Sequence, residues 1–592
     1  MFIFKNFKKS LNLLGYNLKT VIFFELLYMI VSNVILLLGP HYLYLWALKA
    51  AGLTYIGANT IKNFLLCPVT WIYIIVTVLI MTFIIMVEVS GLIIIFDCSK
   101  RREKINLSQA IRVSLRTAVK CISLKNMGLF VFLLLVLPFF GLSSVSAMNH
   151  SIKVPSFIMD FLMSKPLVAI LIVICVVLLI IYTIRNIFSL RSLVLEGVSF
   201  KKASEKSKLL LRKNWIKTLL SLAFHIVVIY AVTILVMLAI AGISAAVSET
   251  ALNGGHAGYM MLLGCYIGGA FFLPLFLVAA ISALYYDCLD SKGMEMPEQT
   301  ELRSLTKAGT AILAIVSIFS ILVLTAIFWD YGVFETDESV RPVIGAHRGS
   351  SITAPENTMP AFELAIEEGV SDWIELDVHQ TADRVVIVSH DDSLSRVAGI
   401  DGYVHEKTYD ELMQMDVGSW FSEEYTGLHF STLDEVLDVC KDVINVQIEI
   451  KPTKYDQNLP EQVADIIEAH DMADQCLVIS LKAEPLKTIK AYDPSIKTGY
   501  CMAVAGGDLS TIDFADAVTI EEQNVDVSVV EEAHEGGFTV FVWTINDTED
   551  IQSLVDTGID GIITDDPVKI SKALDEAEYS GGIARLLRLK LE

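Results

Sequence analysis

The sequence predicts an α-helical transmembrane bundle followed by an α/β (β/α)8 TIM barrel that carries an extra β-hairpin at its mouth. Three observations carry this expectation. Of the 592 residues 54% are hydrophobic and the mean hydropathy is +0.56, too apolar for a wholly water-soluble chain. The halves also differ in charge: residues 1–329 hold 28 Lys and Arg against 13 Asp and Glu, whereas 330–592 hold 17 against 54. After residue 340, short β-branched runs alternate with helical stretches, the pattern of a parallel sheet. The expected division is a membrane domain over 1–329, a barrel over 340–575 and a tail over 576–592.

Seven runs, near 21–39, 70–96, 127–147, 166–184, 219–242, 259–286 and 308–329, approach or exceed the ~20 apolar residues that cross a bilayer core of roughly 30 Å. The first follows a basic N-terminus but leads into further apolar segments, so it reads as a helix and not as a cleaved signal. Lys and Arg collect at the N-terminus (Lys5, Lys8, Lys9, Lys19), from Lys100 to Lys125, and from Arg185 to Lys217, which places those loops in the cytoplasm. Seven crossings from an inside N-terminus then deliver residue 330 outside, in a multi-pass cell-membrane protein with an extracytoplasmic barrel. An additional crossing at the apolar stretch 42–56 would reverse that result. Basic amphipathic stretches at 7–20, 106–120 and 200–218 are expected to lie on anionic membrane lipids. Glu25, Glu88 and His225 are the ionisable groups that stand out within the runs, and they form no chain of the kind transporters use.

The nine cysteines show no CxxC or CxxH spacing, which argues against a disulfide scaffold and a zinc site. The acidic second half gives no support to nucleic-acid binding.

Eight parallel strands are expected at Val343–Ala346, Trp373–Val378, Val446–Ile450, Leu477–Ser480, Lys497–Tyr500, Ala517–Ile520, Thr539–Trp543 and Gly561–Ile563, with helical stretches between them. A further run, Val385–Ser389, follows the second strand too soon for a parallel crossover, so the two must form an antiparallel hairpin. A turn centred between Ala382 and Asp383 sets His390 across from Glu375.

The C-terminal ends of these strands carry His347 and Arg348, Glu375 and Asp377, His390 and Asp391, Glu449 and Lys451, and Trp543 with Asn546. In a barrel these ends converge on one mouth, where catalytic groups collect. Strand alternation turns Glu375 and Asp377 to one side, and Glu449 and Lys451 likewise. Three convergent carboxylates without cysteine suit one hard divalent cation, Ca2+ or Mg2+. Two imidazoles beside it suit proton transfer near neutral pH. Arg348 and Lys451 supply fixed positive charge for a phosphoryl group. Together these fit in-line displacement at a phosphodiester.

The run GAHRGSSITAPENTMPAFELAIEEGVSDWIELDVHQTADRVVIVSHDDSLSR, continued by QIEIK, VWTIND and GIITDDP, resembles the glycerophosphodiester phosphodiesterase family over roughly 340 to 570. The half before it looks like the membrane domain of some Gram-positive members. The resemblance implies His347 and His390 as general base and acid, Glu375, Asp377 and Glu449 as ligands of the divalent metal, and Arg348 and Lys451 as phosphate contacts. It implies Trp543 as an aromatic bordering the substrate's glycerol and Asn546 as a supporting residue. Glu356 and Asn357 of the PENT run sit at a helix start, where they either orient the site or cap the helix. The family's course uses the glycerol 2-hydroxyl as internal nucleophile and passes through a cyclic phosphate that water opens. Two positions depart from the family: the usual Asp-Gly hairpin turn is Asp383-Arg384, and Leu481 follows Ser480 where a Ser-Phe pair is common.

The reaction so implied is hydrolysis of a glycerophosphodiester, or of a glycerol-phosphate polymer, to glycerol 3-phosphate and an alcohol. A phospholipase D-like action on lysolipids or lipid headgroups keeps the fold and changes the bond. A non-catalytic glycerophosphodiester-binding sensor or transporter would tolerate loss of one histidine or carboxylate, and all five are present.

Overall fold

The described part of each apolar run is helical. In the computed structural model, residues 2–56, 60–140, 165–212, 214–248, 254–298, 300–330, 340–503, 507–549, 551–577 and 579 are described. Among them, six helices are long and apolar enough to cross a membrane: Leu18–Ala50, Pro68–Lys100, Pro166–Glu196, Trp215–Val232, Pro274–Lys292 and Lys307–Ala326. The run at 127–147 is helical over Met127–Phe140, and its last seven residues lie outside the described ones. The stretch at 42–56 makes no crossing of its own. Its first part continues the helix Leu18–Ala50, and the chain then turns at Gly52, whose φ is 70°.

The basic amphipathic stretches form the helices Phe2–Tyr16, Leu107–Cys121 and Phe200–Leu211. Their apolar faces, through Leu13, Ile111, Ala118 and Leu210, enter the core of the bundle itself. Packing between helices removes the same apolar surface from water that a leaflet would, at about 25 cal/mol per Å². His225 is structural, with Nε2 on Ser10 Oγ at 3.0 Å and Nδ1 on the Ser221 carbonyl at 2.6 Å. Arg101 and Arg112 donate to the carbonyls of Pro297 and Ser304, and the Leu305 N–H donates to Ser108 Oγ at 2.8 Å. The helix Lys307–Asp330 therefore starts beside the basic loop that follows Lys100.

The chain forms two compact units, and the second joins Leu48–Cys67 to the chain that follows the last membrane helix. Its sheet comprises β1 Val343–His347, β2 Trp373–Gln380, β3 Val386–Val388, β4 Asn445–Ile450, β5 Cys476–Ser480, β6 Lys497–Met502, β7 Ala517–Glu521, β8 Thr539–Trp543 and β9 Gly561–Thr564. The order β1-β9-β8-β7-β6-β5-β4-β2 is closed by β1–β2 pairing, which makes an eight-stranded parallel barrel. Outward residues such as Ile344, Leu376, Ile448, Val518 and Val540 pack under the helices. Leu477, Ile479, Cys501, Ala517, Phe541 and Ile563 fill the interior. Alternation along each strand separates the two sets.

The hairpin is present, with a different register. β3 pairs antiparallel with the end of β2 as Val378↔Val388 and His379↔Ile387, and the Ser389 N–H donates to the Asp377 carbonyl at 2.9 Å. His390 is thus shifted by one residue from its expected place across from Glu375. The cause is a three-residue loop, Ala382–Arg384, closed by Thr381 N–H to the Val385 carbonyl at 3.0 Å. Arg384 takes the left-handed position at φ 69° that such loops require. Thr381 Oγ1 stabilises the loop, donating to Asp383 Oδ1 at 2.7 Å and accepting from the Val385 N–H at 2.8 Å.

The segment from Leu48 closes part of the barrel's outer shell. Thr54 accepts from the Asp508 N–H at 2.8 Å, Tyr55 bridges Gly507 in antiparallel fashion, and its ring meets Tyr500 edge-on at 6.0 Å. Gly507 has φ 103°, and a Cβ there would sit 2.4 Å from the Thr54 carbonyl oxygen. Only glycine allows this approach.

Candidate active site

The site is built on β1, β2 and β4 at their C-terminal ends. Glu375 and Asp377 lie two apart on β2, and Glu449 is the register partner of Asp377 on β4. Each offers a carboxylate oxygen, all within 4.8 Å of one another. Three buried negative charges at that spacing are unfavourable unless cations accompany them. Lys451 Nζ lies 3.0 Å from Glu449 Oε2 and 3.1 Å from Asp377 Oδ1, and Arg348 Nε lies 3.3 Å from Asp377 Oδ2. The compensation is unequal. Burial, with Asp377 and Glu449 alongside, holds Glu375 well above the usual carboxylate range, and burial pushes Glu449 up to about 7 against the pull of Lys451. Asp377 is equally buried, yet Lys451 and Arg348 hold it well below that range.

Excess negative charge from oxygen donors alone is the donor chemistry of a hard divalent cation. The three residues fit such an ion. Three formal negative charges against two positive leave a net negative pocket, which a divalent ion would turn positive for a phosphodiester monoanion.

The PENT residues do not cap their helix. Thr358 holds the N-cap position of Met359–Glu368. Asn357 instead clasps Asp377, donating Nδ2 to Oδ2 at 2.8 Å and accepting the Asp377 N–H at 3.2 Å. Glu356 accepts from Arg348 Nη1 at 2.9 Å. Arg348 and Asn357 both have left-handed backbone, at φ 59° and 56°, a strain of order 1–3 kcal/mol each. It is held by Arg348 N–H to Glu375 Oε2 at 3.1 Å and Asn357 N–H to the Arg348 carbonyl at 3.0 Å.

Each histidine rests on a carboxylate of its own. His347 Nδ1 meets Asp565 Oδ1 at 2.6 Å, and its Nε2 lies 3.9 Å from Glu375. Asp565 also accepts from Asn546 Nδ2 at 2.6 Å and Ser351 Oγ at 3.1 Å. Though burial opposes it, these bonds lower its pKa to about 2. His390 Nδ1 meets Asp391 Oδ1 at 2.7 Å. Burial lowers the His390 pKa, and the bond to Asp391 opposes that. The imidazole beside Glu375 is therefore that of His347, while the site carboxylate acting on His390 is Asp377.

Trp543 closes the end of β8, its Nε1 donating to the Thr519 carbonyl at 3.0 Å, and it packs with Leu481 against the interior cluster. The structure thus gathers His347, Arg348, Glu356, Asn357, Glu375, Asp377, Glu449 and Lys451 directly, and joins Asn546 through Asp565. Residue pattern alone does not single out Asp565. Its signal was position, immediately after the last barrel strand in the ITDDP run.

Fold and site together define a phosphoric diester hydrolase on a (β/α)8 barrel. Residues 347–569 match the glycerophosphoryl diester phosphodiesterase family, and residues 7–333 match the membrane domain of glycerophosphoryl diester phosphodiesterase. The chain belongs to the glycerophosphodiester phosphodiesterase family. It is 31% identical over 234 residues to a glycerophosphodiester phosphodiesterase of Caldanaerobacter subterraneus, covering 38% of this chain and 96% of that protein. It is 33% identical over 245 residues to one of Bacillus altitudinis, covering 39% and 98%. A solved phosphodiesterase of Oleispira antarctica, in complex with the product sn-glycerol-3-phosphate, is 32% identical over 40% of this chain and 97% of its own, with a TM-score of 0.37.

Proposed function

We propose that this chain is a membrane-anchored, divalent-metal-dependent hydrolase that cleaves glycerophosphodiesters to glycerol 3-phosphate and an alcohol. The observation that carries the reading is the pair of histidines, each with Nδ1 bound to a carboxylate, beside a three-carboxylate cluster. An ionised carboxylate only accepts, so Nδ1 carries a proton in both rings and Nε2 is left for the substrate. His347, through Nε2, takes the proton from the attacking hydroxyl. His390, protonated at Nε2 as well, gives one to the departing alcohol; the attacking group being the glycerol 2-hydroxyl, water then opens the cyclic phosphate so formed. Arg348 and Lys451 hold positive charge against the phosphoryl oxygens, and Asn357 and Glu356 keep Asp377 and Arg348 in place. Glu375, Asp377 and Glu449 would hold a divalent ion, which would supply Lewis-acid stabilisation of the phosphoryl oxygens. Purified full-length protein with Mg2+ or Ca2+ should release glycerol 3-phosphate from glycerophosphoglycerol, glycerophosphoethanolamine or a glycerol-phosphate polymer. Release from none of them rejects the reading.

The barrel is proposed to be extracytoplasmic, on a bundle of seven crossings. Two features support this beyond the basic loops. The last membrane helix starts beside the basic loop after Lys100 and, at ~1.5 Å per residue, its 24 residues span about 36 Å to the other side. The barrel also shares its shell with Leu48–Cys67, a segment between two spanning helices that carries few charges. An impermeant protease added to intact cells should digest the barrel and spare the loops at 100–125 and 185–217. Protection of the barrel until the cells are lysed would place it in the cytoplasm.

A further inference from the structure

The stretch His390 to Arg396 ends the family-like run, and its last residue has no part in the chemistry above. Arg396 lies in a loop, its side chain 40% exposed, where an ion pair ordinarily contributes little. Here every guanidinium nitrogen has a carboxylate partner. Nη1 and Nη2 form a two-pronged fork on Glu356 at 2.7 and 2.8 Å, and Nε donates to Asp391 Oδ2 at 2.7 Å. The planar group also lies 5.7 Å from the Trp420 ring centre. Bidentate geometry of this kind fixes position as well as charge. Glu356 is itself held by Arg348 at 2.9 Å, and Asp391 holds His390. One side chain therefore joins the loop bearing His390 to the PENT loop anchored on β1 and β2.

We propose that Arg396 is a positioning residue for His390. It fixes Asp391 to Glu356 so that the imidazole presents Nε2 to the leaving oxygen. The inference rests on His390 being the leaving-group acid. A substrate whose alcohol leaves as an aryloxide needs no proton at that step, whereas an alkyl alcohol does. The test compares R396Q, D391N and H390A with the parent full-length protein on glycerophosphoethanolamine and on a 4-nitrophenyl glycerophosphodiester, with thermal unfolding to confirm folding. R396Q should lower kcat on the alkyl substrate by about 10–100-fold, the range known for partners that orient metal-ligating side chains, and on the aryl substrate by no more than about threefold. Added to D391N it should cost little more, because the two act through one path. Equal losses on both substrates, or full additivity with D391N, overturn the proposal. Should H390A itself show no dependence on the leaving group, the acid assignment fails and not the link to Arg396. If R396Q does not fold, R396K, which keeps the charge and loses the fork, carries the same comparison.

Discussion

Asp377→Asn should lower kcat/KM on any glycerophosphodiester by about 10^2 to 5 × 10^3-fold, corresponding to the roughly 3–5 kcal/mol of breaking a buried ion pair. Asp377 is where the site's supports meet: Asn357 donates to its carboxylate and accepts its backbone N–H, and Arg348 and Lys451 both lie against it. The neutral amide removes one of the three carboxylates proposed to hold the cation and leaves Arg348 and Lys451 paired only with their other carboxylates. Whichever oxygen becomes the amide nitrogen then meets a donor already there, Asn357 Nδ2 at Oδ2 or Lys451 Nζ at Oδ1. Calorimetric titration with Mg2+ or Ca2+ should show the affinity loss directly. A variant that keeps more than about a tenth of its activity (a loss under ~1.4 kcal/mol) would remove Asp377 from the centre of the site.

Chelation of divalent cations should reduce hydrolysis to background, and the affinity for the returning ion should climb with pH. Glu375 and Glu449 hold protons more tightly in the folded, metal-free site than in an unfolded chain, Glu449 with a pKa of about 7 against an ordinary 4.5. The native state therefore binds more protons than the unfolded state across that interval, so metal-free stability falls as pH rises from about 4.5 to about 7. An ion that displaces one proton gains up to about tenfold in affinity per pH unit over the same window. Thermal unfolding at pH 5, 6, 7 and 8 should show a cation-induced rise in Tm that grows with pH. A rise independent of pH would mean the carboxylates are already ionised without the metal.

The parts of this site that lay open in the sequence were those that alternation alone determines. Glu375 and Asp377 are two apart on β2, and Lys451 directly follows β4 two residues after Glu449, so their shared facing follows from the two-residue period carried one residue past the strand. Register across a hairpin is a different matter. It depends on whether the loop has two residues or three, and Arg384, lacking the glycine that usually announces a left-handed position, concealed the third. The supports of the histidines were hidden for another reason. Asp565 stands 218 residues from His347, and only closure of β1 against β9 brings them together. For Glu356 and Asn357 both readings were open in the sequence, and local capping was displaced by tertiary bonds to Arg348 and Asp377.

The seat occupied by Thr54 and Tyr55 bears on how this enzyme can be taken apart. Gly507 and Asp508 receive a backbone edge from a segment more than 450 positions earlier, with Tyr500 and Tyr55 in contact beneath it. A catalytic fragment started after the last membrane helix loses that edge and opens a tyrosine-lined patch of its hydrophobic shell to water. The barrel thus takes part of its shell from a segment that lies between two spanning helices. Exchanging it for the barrel of a relative matched along the barrel alone would demand a glycine at the same loop position, or the surrender of the contact.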